Sequence, residues 1–363
     1  MERILLLIEH KGNRRLLAEV LSRNEEVVVG DRAEALNEPF DLCILDSIAL
    51  AKLSEQIGAR KQLERPAFLP ILLLTPRHDV GVGTRRLWEH VDELIVSPIE
   101  KGELRARVEI ALRARRLSRE NETLRRQLEA ELERAARVQA ALLPESAPAL
   151  EGFDLAACCL PAREVGGDFY DWQAPAPGEL TLTLGDVSGK GMPAALLMAT
   201  IRASLRAGAR LNKPAAALKL VEHALAVDLE RSGSFVTLFH AHLSAAERRL
   251  TYVDAGHGYS FVRRRDGAID ELATRGLPLG AFPDAEYRDD TIELREGDAL
   301  VVHSDGLVDA RRDRALTSAD FAAGLHGVAT ARAMCDRLLE IAAPPEKLPD
   351  DLTVIVLRCG NGV

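Results

Sequence analysis

The sequence predicts an α/β protein with two domains joined by one long helix. Its first 110 residues or so alternate short apolar runs with helical patterns, and a stretch over 99–143 has no internal proline. After residue 150, strands with long connections and paired helices take over. A chain of 363 residues also exceeds one ordinary domain, for which about 150 residues is typical.

The N-terminal domain is predicted to contain a parallel sheet. Strands buried on both faces read as continuous apolar runs, and their alternation with helices indicates parallel pairing. Five such runs occur, at 4–8, 27–30, 41–45, 70–74 and 93–96. We therefore expect a small doubly wound α/β domain, whose functional edge lies at the carboxyl ends of the strands.

The long helix carries a coiled-coil pattern. Leu117, Asn121, Leu124 and Leu128 follow 4-3-4 spacing, and a buried Asn in such a seam favours a defined parallel dimer. An extra four-residue step to Leu132 is a stutter. A solvated, charge-rich linker helix is the alternative, but we favour a homodimer formed through a coiled coil. The predicted boundaries are a domain over 1–112, a helical linker over 113–146 and a second domain over 147–363.

The C-terminal domain is predicted to be an α+β layered domain with a substantial core. Its strand candidates are 180–187, 235–243, 250–256, 299–306 and 352–358, and its helix candidates are 194–211, 215–229 and 329–341.

Composition excludes several classes of function. A net charge of -9 and only 4% aromatic residues argue against a nucleic-acid partner. The five cysteines without a C-x-x-C pair indicate a reducing compartment. The chain has no signal peptide and no apolar run of about 18 residues, so we expect a cytoplasmic protein with no membrane contact.

The pattern that carries chemistry is a set of Asp residues at predicted strand ends. Asp168, Asp186, Asp305 and Asp350 each lie beside glycine or another turn residue. Each alone is most simply a turn residue or a helix cap. Together, hard oxygen ligands without His or Cys companions suit Mg²⁺ or Mn²⁺, and two such ions support phosphoryl hydrolysis.

Seven sequence blocks carry a family resemblance that covers this whole domain. They are 164–171, 185–195, 235–239, 255–257, 276–280, 304–306 and 350–353, preceded by a lead-in helix over 137–144. In order and spacing the domain resembles a PPM-type metal-dependent serine/threonine phosphatase of the SpoIIE/RsbU branch. That branch dephosphorylates anti-sigma-factor antagonists in bacterial partner switching, so a phosphorylated antagonist is the implied substrate.

The resemblance also implies roles for individual residues. Asp186 corresponds to the ligand that bridges two Mn²⁺ or Mg²⁺ ions, with the Val187 carbonyl beside it. Asp168, Asp305 and Asp350 complete the ligand set and with Asp186 are the predicted catalytic residues. Asp351 stands where related phosphatases place Asn. Two ions of this kind lower the pKa of a water towards about 7, so no covalent phosphoenzyme is needed.

The N-terminal domain resembles a response-regulator receiver with a flavodoxin-like fold. The resemblance implies that Asp46 is the phosphoacceptor and that Glu9 and Thr75 line the same pocket. Glu9-His10 replaces the usual acidic pair, however, and Ser97-Pro98 replaces the usual Lys-Pro, which removes a charge that would pair with the phosphoryl group. We favour a degenerate receiver that dimerises or docks a partner over one phosphorylated by a sensor kinase.

Four residues keep two interpretations each. Arg163 either binds phosphate or is an exposed loop residue, and His257 is either a proton donor or structural. Asp171 is an outer ligand or a cap, and Lys190 attracts phosphate or is solvated. The predicted function is a receiver-regulated metal-dependent protein phosphatase. The alternatives are a non-catalytic signalling adaptor and a small-molecule phosphatase.

Overall fold

The structure of the protein is a computed structural model. This structure describes residues 1–23, 25–30, 33–77, 90–272, 276–283, 285–310, 315–342 and 348–360. The chain divides into two compact units, Met1–Ala130 and Glu131–Val363. Each unit is described by itself.

The first unit contains a five-stranded sheet in which all neighbouring strands are parallel. Its strands are β1 (Arg3–Leu7), β2 (Glu26–Val29), β3 (Leu42–Asp46), β4 (Ile71–Pro76) and β5 (Glu93–Ser97). All five predicted apolar runs form strands of this sheet. Their order, β2-β1-β3-β4-β5, is the 2-1-3-4-5 order of flavodoxin-like sheets.

Helices cover both faces of this sheet. On one face, α1 (Lys11–Leu21) and the first turns of α3 (Lys101–Leu142) pack on alternate strand residues such as Ile4 and Ile44. On the other face, α2 (Ser47–Glu64) and a 3₁₀ helix (Ala33–Asn37) pack on Leu5 and Cys43. Between β2 and β3 the helical element is the short 3₁₀ helix and not an α-helix. The connection over 78–89 lies outside the described residues.

Helix α3 runs unbroken for 42 residues, as the lack of internal proline predicts. Leu104, Val108 and Leu112 are buried in the core of the first unit. The opposite side of the helix carries exposed apolar side chains, with Leu117 55% exposed and Leu124 65% exposed.

The second unit has two antiparallel five-stranded sheets, ordered β13-β10-β9-β8-β7 and β12-β11-β14-β15-β6. The strands are β6 (Phe153–Leu160), β7 (Phe169–Gln173), β8 (Glu179–Val187), β9 (Val236–Ser244), β10 (Arg249–Ala255), β11 (Ser260–Arg263), β12 (Ile269–Glu271), β13 (Asp290–Glu293), β14 (Ala299–His303) and β15 (Leu352–Cys359). The five strands predicted from sequence are all present. The others are edge strands, short strands or strands with mixed patterning.

Three apolar clusters show that the second unit has four layers. One cluster fills the space between the two sheets and includes Phe239, Leu300 and Ile355. A second lies between the first sheet and α4 (Met192–Ala207) with α5 (Pro214–Ser232). The third lies between the second sheet and α6 (Asp305–Asp309), α7 (Ser318–Gly324) and α8 (Ala331–Ala342). The helix predicted over 194–211 ends earlier, because Gly208 caps α4. None of the described helices is both long enough and apolar enough to span a bilayer.

Candidate metal centre

Strand pairing brings the predicted Asp residues to one edge of the second unit. Phe169 at the start of β7 pairs with Gly185 near the end of β8, which places Asp168 beside Asp186. His303 at the end of β14 pairs with Val354 near the start of β15, which brings Asp305 towards Asp350. Each pair joins the end of one strand to the start of its antiparallel neighbour, so residues far apart in sequence meet.

Asp168 and Asp186 form the buried part of this group. Asp168 is only 5% exposed, and among the described residues its Oδ2 has no hydrogen-bond partner. Burial raises the pKa of Asp168 well above its ordinary value, and the charge of Asp186 raises it further. Burial, with the charges of Asp305 and Asp350, raises the pKa of Asp186 from 3.8 to about 6. The four carboxyl groups therefore influence one another electrostatically.

Glycine at position 167 permits the close approach of two chain segments. A Cβ there would lie 2.5 Å from the Val187 carbonyl oxygen and 3.2 Å from Asp186 Oδ1. The first distance is too short for any Cβ atom, and the second is tighter than most Cβ contacts. Gly167 therefore lets the loop before Asp168 lie directly against the oxygens of Asp186 and Val187.

Asp351 holds this loop in place. Its Oδ1 accepts the Ala162 N–H at 2.8 Å, and its Oδ2 accepts the Gly167 N–H at 3.0 Å. The Ser304 hydroxyl donates to the backbone carbonyl of Asp351 at 3.2 Å. Because both side-chain oxygens accept backbone N–H groups, a carboxylate suits this position better than an amide, which has only one acceptor atom.

Gln139, in the last turn of α3, contacts the same loop. Its Nε2 donates to the Gly166 carbonyl at 2.7 Å, and its Oε1 accepts the Gly166 N–H at 3.1 Å. Both backbone polar groups of the buried Gly166 are thereby satisfied by one side-chain amide. Sequence reasoning placed Gln139 in the lead-in helix and on the coiled-coil seam but missed this contact, because the partner is a backbone group that leaves no sequence signal.

Asp305 and Asp350 form the more open part of the group. Burial and the charge of Asp350 raise the pKa of Asp305. The Asp350 side chain is 45% exposed, and the Lys190 ammonium donates to its Oδ2 at 2.7 Å. Lys190 was expected either to attract phosphate or to be solvated. Neither interpretation describes it fully, since it forms an ion pair with Asp350.

The donor set fits a hard divalent cation. All the candidate ligands are oxygens, as Mg²⁺ and Mn²⁺ prefer, and the buried Oδ2 of Asp168 lacks a partner among the described residues. Within the same residues, no three His, Cys, Asp or Glu side chains are grouped closely enough to enclose an ion. The fit therefore depends on donor chemistry and on the unpaired oxygen.

The structure distinguishes the interpretations of three other residues. Arg163 is exposed, as its simpler interpretation predicts. Asp171 forms a partly buried ion pair with Arg206 at 2.6 Å, which connects β7 to α4 and favours neither of its two interpretations. Burial lowers the pKa of His257 to about 3, so the neutral ring is a poor proton donor. The structural interpretation of His257 is favoured.

The predicted receiver pocket lies at the carboxyl edge of the first sheet. A cleft of about 210 Å³ brings Asp46, Thr75 and Ser97 together. Asp46 is the N-cap of α2, and its Oδ1 accepts the Ala49 N–H at 2.8 Å. Its Oδ2 accepts the Glu9 N–H at 2.7 Å, so both oxygens of the candidate phosphoacceptor already bind backbone groups. The Glu9 side chain pairs with Lys52 at 2.5 Å.

Comparison with known proteins identifies the family of the second unit. The sequence profile described as Stage II sporulation protein E (SpoIIE) matches residues 176–360. The phosphoserine phosphatase RsbU of Bacillus subtilis (strain 168) is 30% identical over 249 residues, which cover 66% of this chain and 74% of RsbU. The chain belongs to the SpoIIE family. Of the predicted ligands, Asp186, Asp305 and Asp350 lie within the matched range and Asp168 lies just before it.

Other relatives of this SpoIIE family member share the second unit. Protein IcfG of Synechocystis (strain PCC 6803) is 28% identical over 208 residues, which cover 50% of this chain and 33% of IcfG. The SiaA-PP2C domain of Pseudomonas aeruginosa superposes with a TM-score of 0.55 at 24% identity, over 65% of this chain and 98% of that domain. The RsbU and RsbW domains of a Mycobacterium tuberculosis protein give 0.51 at 27% identity, over 60% and 62%. The second unit therefore has the PP2C phosphatase fold.

Proposed function

We propose that this chain is a metal-dependent protein serine/threonine phosphatase. The observation that carries the proposal is the meeting of Asp168, Asp186, Asp305 and Asp350 at one edge of a PP2C fold, with a buried carboxylate oxygen left unpaired among the described residues. Membership of the SpoIIE family and similarity to the phosphoserine phosphatase RsbU support the same conclusion.

The proposed metal ligands are Asp168, Asp186, the Val187 carbonyl, Asp305 and Asp350, which would hold two Mn²⁺ or Mg²⁺ ions. When bound, such ions lower the pKa of water and neutralise charge on phosphoryl oxygens. The chain itself positions the metal ligands. Asp351 and Gln139 fix the loop that carries Asp168, and Gly167 permits its approach to Asp186.

A non-catalytic adaptor is the weaker alternative. Holding several carboxylates close together and partly buried disfavours their charged forms and costs stability. A fold that only binds a partner gains nothing from the raised pKa of Asp186 or from the unpaired oxygen of Asp168. A site that loads divalent cations offsets that cost.

The proposed substrate is a phosphorylated anti-sigma-factor antagonist. The support is the similarity to RsbU and to a second phosphoserine phosphatase of Bacillus subtilis, RsbP, which is 23% identical over 152 residues. The chain spans 38% of RsbP, so that comparison concerns the phosphatase region. A structural relative in which RsbU and RsbW domains occur together supports a role in partner switching.

We propose that the first unit is a degenerate receiver that regulates the phosphatase. Its parallel 2-1-3-4-5 sheet supports a receiver-like fold. The two backbone hydrogen bonds to Asp46 and the Glu9–Lys52 pair support a structural role for Asp46 over phosphorylation by a sensor kinase. Because the last turn of α3 carries Gln139, which binds backbone groups of Gly166, a change in this helix would reach the loop that carries Asp168.

We propose that α3 forms a parallel coiled coil in a homodimer. Leu117, Leu124 and Leu128 are 55%, 65% and 61% exposed and lie on the seam that also contains Asn121. Ile110, seven residues before Leu117, is 66% exposed and extends the same heptad. A second copy of the chain would cover these side chains with an identical stripe, as a parallel two-stranded coil requires.

Hydrolysis of a phosphoserine-bearing antagonist protein, with p-nitrophenyl phosphate as a stand-in, tests the proposed activity. We expect turnover with Mn²⁺, none with EDTA, and none for Asp186→Ala. Asp228→Ala, which removes an exposed carboxylate on α5, is the matched control and retains activity. A folded chain that binds the phosphoprotein but releases no phosphate with Mn²⁺ would favour the adaptor.

A further inference from the structure

Lys190 occupies an unusual position for a surface lysine. It lies in the turn between β8 and α4, between Gly189 and Gly191, whose φ angles of 103° and 77° favour glycine. Its Nζ donates to Asp350 Oδ2 at 2.7 Å and to the Pro349 carbonyl at 3.3 Å. The turn thus directs an ammonium group onto a proposed metal ligand.

Both oxygens of the Asp350 carboxylate are engaged. Oδ1 accepts the Asp351 N–H at 3.0 Å, and Oδ2 accepts the Lys190 ammonium. A cation that approaches Asp350 must therefore displace one of these donors or share an oxygen with it. The backbone N–H belongs to Asp351, a residue only 9% exposed directly before β15, whereas the lysine side chain is 47% exposed and can move into solvent.

The charge of Lys190 reaches beyond Asp350. It lowers the pKa of Asp305, against the effects of burial and of Asp350. Asp305 and Asp350 in turn raise the pKa of Asp186. Lys190 therefore partly neutralises the carboxylates of Asp350 and Asp305, as a divalent cation bound there would also do.

We propose that Lys190 is a tethered counter-ion that competes with a divalent cation for Asp350 and so sets the metal concentration at which the site is loaded. The inference rests on the proposed function, because it assumes that Asp350 is a metal ligand. In this arrangement the lysine compensates the negative charge of Asp350 when metal is scarce, and the metal displaces it on binding.

Competition predicts two effects of opposite sign for Lys190→Met, which keeps a long side chain but removes the charge. In EDTA, the carboxylates of Asp350 and Asp305 lose their counter-ion, so the melting temperature falls. With Mn²⁺, the cation no longer displaces an ammonium group, so metal binds more tightly. If Lys190 had only a structural role, the same substitution would lower both the stability of the protein and its affinity for the metal.

Calorimetric titration of the full-length protein with Mn²⁺, combined with melting curves in EDTA, tests the proposal. We expect Lys190→Met to bind Mn²⁺ about two- to fivefold more tightly, the range given by a half-exposed ion pair, and to melt at a lower temperature in EDTA. Lys190→Arg keeps the charge and should resemble the wild type. Lys219→Met, on the exposed side of α5, is the control for loss of a surface charge.

Three outcomes would overturn the proposal. Unchanged or weaker Mn²⁺ binding by Lys190→Met would show that the lysine does not compete. Unchanged metal binding with a raised KM for the phosphoprotein would assign Lys190 to the substrate. If the wild type itself bound no Mn²⁺, the proposed function would fail first, and this inference with it.

Discussion

Replacing Asp186 with Asn is expected to abolish activity and yet stabilise the protein when metal is removed. Asn has nearly the same shape as Asp but no charge. Asp186 is partly buried, and the charges of Asp305 and Asp350 act on it. The substitution therefore relieves a cost that the wild type carries whenever no cation compensates its carboxylates.

The magnitude follows from the pKa of Asp186, which is raised from 3.8 to about 6. At a pH above both the unfolded-state and the folded-state pKa, this difference between the two pKa values corresponds to about 3 kcal/mol of lost folding stability. Because the folded-state pKa lies above the unfolded one, the favourable contribution is complete below pH 3.8 and is lost as the pH rises through about 6. Asp186→Asn should thus gain up to about 3 kcal/mol at pH 7.5, and little at pH 4.

Scanning calorimetry of the full-length protein in EDTA, between pH 4 and pH 8, measures this effect. For a unit of this size, about 3 kcal/mol corresponds to a rise of about 6–12 °C in the transition that Mn²⁺ shifts in the wild type. Asp228→Asn, at an exposed position on α5, controls for loss of a charge. The reasoning is refuted if Asp186→Asn is less stable than the wild type at pH 7.5, or if its advantage is as large at pH 4.

Three further substitutions test other parts of the structure. Asp351→Asn replaces one of the two acceptor oxygens with an NH₂ group, which then faces a backbone N–H of the 162–168 loop. We therefore expect a loss of about 1–3 kcal/mol of stability, measured by urea unfolding, and weaker Mn²⁺ binding. A stability equal to the wild type would contradict the assigned hydrogen bonds. Leu124→Glu places a charge on the proposed seam, and light scattering should show a monomer with an unchanged melting transition for the second unit; a persistent dimer would exclude the coiled coil. Asp46→Ala removes the cap of α2 and should cost about 1 kcal/mol, while mass spectrometry should detect no phosphoryl transfer from acetyl phosphate to the wild type. A phosphorylated Asp46 would restore the active-receiver interpretation.

Sequence reasoning succeeded where a pattern is local. Apolar runs predicted β1, β4 and β8, in which four to six consecutive residues are buried. Short or edge strands gave no such signal, since β12 has only three residues and none of them is buried. The 3₁₀ helix between β2 and β3 was also missed, because a segment of five residues carries too little periodicity to set its helix type.

The candidate site divides in the same way. Motif blocks identified Asp168, Asp186, Asp305 and Asp350, and strand pairing explains how they meet. The supporting contacts depend on tertiary structure. Asp351 binds backbone groups 184 and 189 residues away in the chain, and Asp171 pairs with Arg206 on another element. The type of residue at these positions does not reveal which backbone group or cation lies opposite.

The most direct test of the account is a crystal structure of the full-length protein grown with Mn²⁺, with anomalous diffraction recorded at the manganese edge. We predict two anomalous peaks beside Asp186, one near Asp168 and the other near Asp305 and Asp350, with the Lys190 ammonium displaced from Asp350. An anomalous map without peaks at this edge of the PP2C fold, from crystals of protein that hydrolyses phosphoserine, would contradict the assignment of these carboxylates as the metal centre.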